Sequence, residues 1–129
     1  MQKIAAGIVL YNPEIGRLEE NINAVAAQCG KIYLLDNGSS NIGEVISMVE
    51  GLDCADDITL IKNEKNEGVA RALNELSEAA YADGYEWLLT LDHDSVCPAN
   101  MIEEYEKYMD DKSIGMLCPV VIDLNGGVT

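Results

Sequence analysis

Continuous apolar runs of strand length alternate along this chain with stretches whose apolar residues recur every three or four positions. "IAAGIVLY" (4–11) predicts a first strand, buried on both faces and ended by Asn12-Pro13. From Glu14 to Gln28 the apolar positions Ile15, Leu18, Ile22, Val25 and Ala26 keep helical spacing, which predicts an amphipathic helix stopping near Gly30. "KIYLLD" (31–36) predicts a second strand, followed by the turn-forming "NGSSN" and a shorter helix marked by Ile42, Val45, Ile46 and Val49. "ITLI" (58–61) predicts a third strand, the polar "KNEKNEG" a loop, and Val69 to Tyr81 a third helix. "WLLTLD" (87–92) predicts a fourth strand, Pro98 opens a helix through Met101, Ile102, Tyr105 and Met109, and "IGMLCPVVI" (114–122) predicts a fifth strand. The closing "DLNGGVT" lacks the pattern of any element.

Near-continuous apolar strands alternating with amphipathic helices predict an α/β fold, a mainly parallel sheet with helices on both faces. Such sheets take ligands beyond the carboxyl ends of their strands, near the point where strand order reverses. Residues just after each strand therefore define a candidate rim. These are Tyr11 and Asn12, then Asp36 to Ser39, then Lys62 to Gly68, and finally Asp92, His93 and Asp94.

Composition narrows what could bind there. The 129 residues, 48% hydrophobic and without phenylalanine, suit one compact domain whose core is aliphatic. Eight basic residues against 23 acidic ones give a formal net charge of −15, which opposes nucleic acid and anionic lipid as partners. A phosphorylated ligand would then need a cation or a local basic cluster to offset that field. Cys29, Cys54, Cys97 and Cys118 form no C-x-x-C pair, so reduced, mostly buried thiols and a cytoplasmic chain are expected. No apolar run approaches the ~20 residues that cross a bilayer.

Several polar groups admit two readings. Asp92 and Asp94 could grip a hard divalent ion such as Mg²⁺ or Mn²⁺, or simply end a strand in a solvated turn. Asp36 with "NGSS" is ordinary turn chemistry, and its carboxylate could in addition accept hydrogen bonds from a base or ribose. Gly68 would permit close backbone approach at a helix start, where Arg71 could meet a phosphate favoured by the helix dipole. His93, between two carboxylates that hold its proton, is read as a charge-paired surface residue and given no catalytic role.

Four blocks, "GIVLYNP" (7–13), "LLDNGSS" (34–40), "NEGVARALN" (66–74) and "WLLTLDHDS" (87–95), together resemble family 2 glycosyltransferases of the GT-A, Rossmann-like fold. The resemblance spans most of positions 3 to 122 and implies transfer of a sugar from a nucleoside diphosphate sugar to a carbohydrate or lipid-linked acceptor. It implies that Tyr11 and Asp36 meet the nucleobase, Gly68 and Arg71 the nucleotide, and Asp92 the ribose and donor sugar. Asp94 would coordinate Mg²⁺ or Mn²⁺ between protein and diphosphate. "YNP", "DNGSS" and the D-x-D-S block look most like the rhamnosyltransferase branch, which implies dTDP-rhamnose, or else a UDP-sugar, as donor, and work on cell-surface polysaccharide. His93 departs from that branch, which often carries Gln there. The family's acceptor site and general base lie in a second half, so residues 1–129 are expected to form the donor-binding domain with the base beyond Thr129. Its site would be the cytoplasm, or the inner membrane face through the acceptor.

Three rivals share some of these features. "DHDSV" also matches the D-x-D-x-[TV] pattern of haloacid dehalogenase-like phosphatases, which place it after the first strand rather than the fourth. A receiver domain has similar length but needs an acidic pair where Tyr11-Asn12-Pro13 stands. A module that binds a nucleotide sugar without transferring it is the third.

Overall fold

The computed structural model describes residues 4–92, 102–104, 107, 122–123 and 127–128. Seven elements make up the main body: β1 (Ile4–Leu10), α1 (Ile15–Ala26), β2 (Lys31–Asn37), α2 (Ile42–Glu50), β3 (Ile58–Asn63), α3 (Val69–Ala82) and β4 (Trp87–Asp92). Each falls where the hydrophobic period places it, and the boundary differences have local causes. β1 stops at Leu10, one residue early, because Asn12 adopts a positive φ of 47° and turns the chain. α1 begins at Ile15 because the Glu14 carboxylate caps it, accepting the N–H groups of Gly16 and Arg17 at 3.0 and 2.9 Å. β3 continues to Asn63, since its pairing with β2 runs on through Lys62 and Asn63.

The sheet is parallel throughout, in the order β3-β2-β1-β4. From β1 the chain steps outward through β2 to β3, then returns to lay β4 against the other side of β1. Right-handed crossovers place helices of opposite stepping direction on opposite faces. Accordingly, Leu18, Ile22 and Val25 of α1 and Val45 of α2 join Ile4, Ala6, Ile8, Leu10, Ile32 and Leu34 in one core. Ala72, Leu76 and Ala80 of α3 pack with Ala5, Tyr33 and Leu35 in the other. Ala72 and Ala80, two turns apart on either side of Leu76, let α3 lie close to the sheet, and period-two alternation in β1 and β2 deals side chains to the two cores in turn.

Ile102 to Glu104 and Lys107 are helical, as the sequence predicts, and Ile102 joins the α1 core with its N–H donated to Gln28 Oε1 at 2.9 Å. The remaining positions of that helix, and residues 114–121 of the expected fifth strand, lie outside the described residues. The terminal stretch corrects the expectation of no regular structure. Ile122–Asp123 (β5) pairs antiparallel with Gly127–Val128 (β6), Ile122 opposite Val128 and Asp123 opposite Gly127. Cys29 is buried in the α1 core, and Cys54 is half-buried with its thiol pushed up by burial; Cys97 and Cys118 lie outside the described residues.

Tyr33 ties the amino end of the sheet to the end of α3. Its ring is 1% exposed, packs edge-on against Tyr85 at 6.4 Å, and its hydroxyl donates to the Asp83 carboxylate. Burial, reinforced by the hydrogen bond to Asp83 and that group's charge, raises the phenol well above its ordinary value of about 10. A raised folded-state value stabilises the fold fully below the unfolded value, and that contribution drains away as pH climbs past it. An ultraviolet titration should therefore find at least one tyrosine, Tyr33, still protonated in the folded chain where the unfolded chain has ionised all six, with stability falling from about pH 10. Tyr33→Phe should flatten that fall. Six tyrosines ionising together in the folded chain would exclude this account.

Candidate functional site

Strand register fixes the layout of the rim. Leu10 stands opposite Asp36, Asp36 opposite Lys62, and Val9 opposite Asp92. With neighbouring strands ~4.8 Å apart, the backbones of Asp36 and Asp92 are separated by ~10 Å, with the end of β1 between them. The reversal of strand order falls between β1 and β4, so the crevice expected of this topology opens where Tyr11 and Asp92 leave the sheet.

Three loops above the rim are joined to one another by side chains. The Asn12 N–H donates to Ser39 Oγ at 2.8 Å, while Asn12 Oδ1 accepts from the Ser40 N–H at 2.8 Å and from its hydroxyl at 3.1 Å. Asn41 Nδ2 donates to the Pro13 carbonyl at 2.8 Å. These bonds couple the loop after β1 to the loop after β2. Asn37 couples the latter onward, accepting the Glu67 N–H at 3.1 Å and donating to the Gly68 carbonyl at 3.4 Å. Gly38, at φ 88°, rests against the backbone of Lys65. Asparagine and serine serve here because short polar side chains supply donors and acceptors to backbone groups that the strands no longer satisfy.

Asp36 is only 2% exposed, and both carboxylate oxygens face the Ser39 N–H, at 3.3 and 3.1 Å. One shared donor leaves most of a carboxylate's acceptor capacity open. Tyr11 projects from the adjoining loop and is 49% exposed, a large aromatic surface left uncovered at the mouth of the crevice. Gly68 caps α3 with φ 89°; Asn66 Oδ1 takes the Gly68 N–H at 2.8 Å, and among the described residues no side chain accepts from the first N–H groups of the helix itself. The amino end of α3 is thus held at the rim with its backbone N–H groups unobstructed by a capping side chain.

Arg71, in the first turn of α3, is exposed and lies between Glu67 at 3.8 Å and Glu75 at 3.3 Å. Exposed i,i+4 pairs contribute only ~0.3–0.5 kcal/mol, so the guanidinium can exchange these partners for a stronger anion. The structure therefore gathers Tyr11, Asp36 and Gly68 on coupled loops and sets Arg71 one turn away. Asp92 ends β4 beside Val9, whereas His93 and Asp94 lie outside the described residues. Among the described residues, no three His, Cys, Asp or Glu side chains come together as a metal cage. A diphosphate-bound cation needs only one or two protein carboxylates, the phosphates and water completing its shell, and Asp94 is a donor of that hard-oxygen type.

The sequence places Asn12, Asn37 and Ser39 on the candidate rim but assigns none of them a role of its own. Their density at strand ends was visible, but their cross-loop partners were not.

An open parallel α/β sheet with a coupled loop rim at its switch point defines a class of α/β domain that takes its ligand beyond the carboxyl ends of the strands. The chain belongs to glycosyl transferase family 2, whose family model matches residues 6–129. It is 29% identical over 120 residues to the dTDP-rhamnosyl transferase RfbF of Shigella flexneri, covering 93% of this chain and 39% of that protein. The chain thus spans about two fifths of that relative's length. The crystal structure of S. aureus TarS 1-349 superposes with a TM-score of 0.65 at 18% identity, over 87% of this chain and 33% of that one, a likeness of fold. The family typically uses a divalent metal. Family membership and a D-x-D that follows the fourth strand both count against the phosphatase rival. Among the described residues, no helix is long and apolar enough to cross a membrane.

Proposed function

We propose that residues 1–129 form the donor-binding domain of a glycosyltransferase that moves a sugar, rhamnose in the reading favoured here, from a nucleoside diphosphate carrier to a carbohydrate or lipid-linked acceptor. The observation that carries this reading is Asp36: a nearly buried carboxylate at the carboxyl end of β2, with one shared N–H donor, beside an exposed aromatic ring and the uncapped start of a helix. That combination offers an acceptor for the donor groups of a base or ribose, a stacking surface, and an anion-favouring helix end. The curated relative's name supports dTDP-rhamnose as donor, with a UDP-sugar as the other candidate.

In this reading Tyr11 stacks on the base and Asp36 orients it. Gly68 lets the nucleotide approach the backbone, and Arg71 leaves its glutamates for the diphosphate. Asp92 faces the ribose and sugar, and Asp94 holds Mg²⁺ or Mn²⁺. When bound, the cation offsets the negative charge that gathers on the departing diphosphate, which a chain of net charge −15 could not do alone. The chain's own residues bind and orient the donor; the hydroxyl's proton is left to a base beyond Thr129.

Calorimetric titration with dTDP and UDP, with and without Mn²⁺, tests the reading. Metal-dependent binding that is lost in Asp94→Ala is expected. A chain that binds neither nucleotide in the presence of Mn²⁺ overturns it.

A further inference from the structure

We infer that Asn37 is a positioning residue of the donor site, fixing the start of α3 against the end of β2 so that the nucleotide meets a rim already formed; this rests on the donor-site reading above. Asp36 and Asn37 are consecutive at the end of a strand, so period-two alternation sends their side chains to opposite faces of the sheet. Asp36 is directed to the face of α1 and α2, where it meets Ser39, and Asn37 to the face of α3. One strand end thereby supplies both a ligand-facing carboxylate and a brace.

The brace uses both ends of the carboxamide. Oδ1 accepts the Glu67 N–H at 3.1 Å, Nδ2 donates to the Gly68 carbonyl at 3.4 Å, and the residue is 2% exposed. Local chemistry alone gives the segment before α3 little reason to stay at the rim. Glu64, Lys65, Asn66 and Gly68 are exposed, Gly68 is conformationally permissive, and the Gly68 N–H is turned to Asn66 Oδ1 at 2.8 Å. A polar loop left to order itself around a ligand weakens binding by the entropy of that ordering, and prior fixation removes the loss. Asparagine suits the task on three counts. Aspartate has no donor for the Gly68 carbonyl, glutamine is one methylene longer, and a neutral amide adds no negative charge near a diphosphate.

The test compares dTDP affinity in the presence of Mn²⁺ for the wild-type chain, Asn37→Ala and Asn37→Asp, well below each protein's melting temperature and with native circular dichroism verified. Asn37→Ala should bind about tenfold more weakly. Asn37→Asp, which keeps the acceptor for Glu67, should retain slow amide hydrogen exchange at Glu67 and lose less affinity. In Asn37→Ala that amide should exchange faster with no ligand present, a readout of local fixation independent of binding. If Asn37→Ala does not fold, the Asp variant carries the comparison, with a Kd weaker than wild type expected. Wild-type binding with unchanged Kd in the folded variants overturns this inference alone, as does unchanged exchange at Glu67 in Asn37→Ala. A wild-type chain that binds no nucleotide overturns the donor-site reading, and the inference with it.

Discussion

Gly38→Ala is expected to destabilise the fold by about 2–5 kcal/mol, summing the left-handed backbone cost with that of overpacking. Two effects coincide at this position. Its φ of 88° is one that residues with a Cβ rarely adopt, and an added Cβ would lie 2.8 Å from Lys65 Cα and 2.9 Å from its carbonyl carbon. The obstacle is backbone, so no rotamer change relieves it. Gly68 provides the control, for its φ of 89° is nearly identical but an added Cβ meets nothing within 4 Å. Gly68→Ala should therefore show a conformational cost alone, about 1–3 kcal/mol for its φ 89°, ψ 160° backbone. Urea denaturation should give a markedly lower midpoint for Gly38→Ala than for Gly68→Ala, with similar slopes. Equal midpoints would mean that the approach of the two loops carries no energetic weight.

Asp36→Asn is expected to weaken nucleotide binding about 10- to 100-fold while leaving stability nearly unchanged, the range that follows from losing a hydrogen bond to a charged acceptor. The substitution conserves shape, and the remaining Oδ1 can still accept the Ser39 N–H, whose distances to the carboxylate oxygens are 3.3 and 3.1 Å. What changes is the other oxygen. An amide NH₂ replaces an acceptor, so a donor group on base or ribose that was matched becomes opposed, in a site only 2% exposed to water. Asp36→Ala should reduce both quantities, because it also strands the Ser39 N–H. Affinity equal to wild type in Asp36→Asn would restrict Asp36 to turn chemistry. A lowered midpoint with unaltered Kd would lead to the same conclusion.

The elements and the candidate rim were legible in the sequence to different depths. Periodicity located all seven elements of the main body within a few residues, because the spacing of apolar side chains over four to fourteen residues is set by the geometry of the element itself. It also marked Asp36 and Gly68 as strand-end and helix-start residues, positions the structure reproduces. Arg71 was legible as a first-turn cation, but not as one held between Glu67 and Glu75. The terminal "DLNGGVT" misled because a two-residue pairing is too short to leave a period.

By itself, then, the sequence determined the succession of strands and helices, the acidic field that a phosphorylated ligand must overcome, and the residues that stand at the strand ends. Only the tertiary structure decided that β4 returns to the side of β1, which helices cover the faces to which Asp36 and Asn37 point, and that three loops form one rim. The reason is distance along the chain. Asn12 meets Ser39 across 27 positions, and Asn37 meets Glu67 and Gly68 across 30 and 31. Such bonds exist only once strand order and register have brought the loops together, and no local period encodes either.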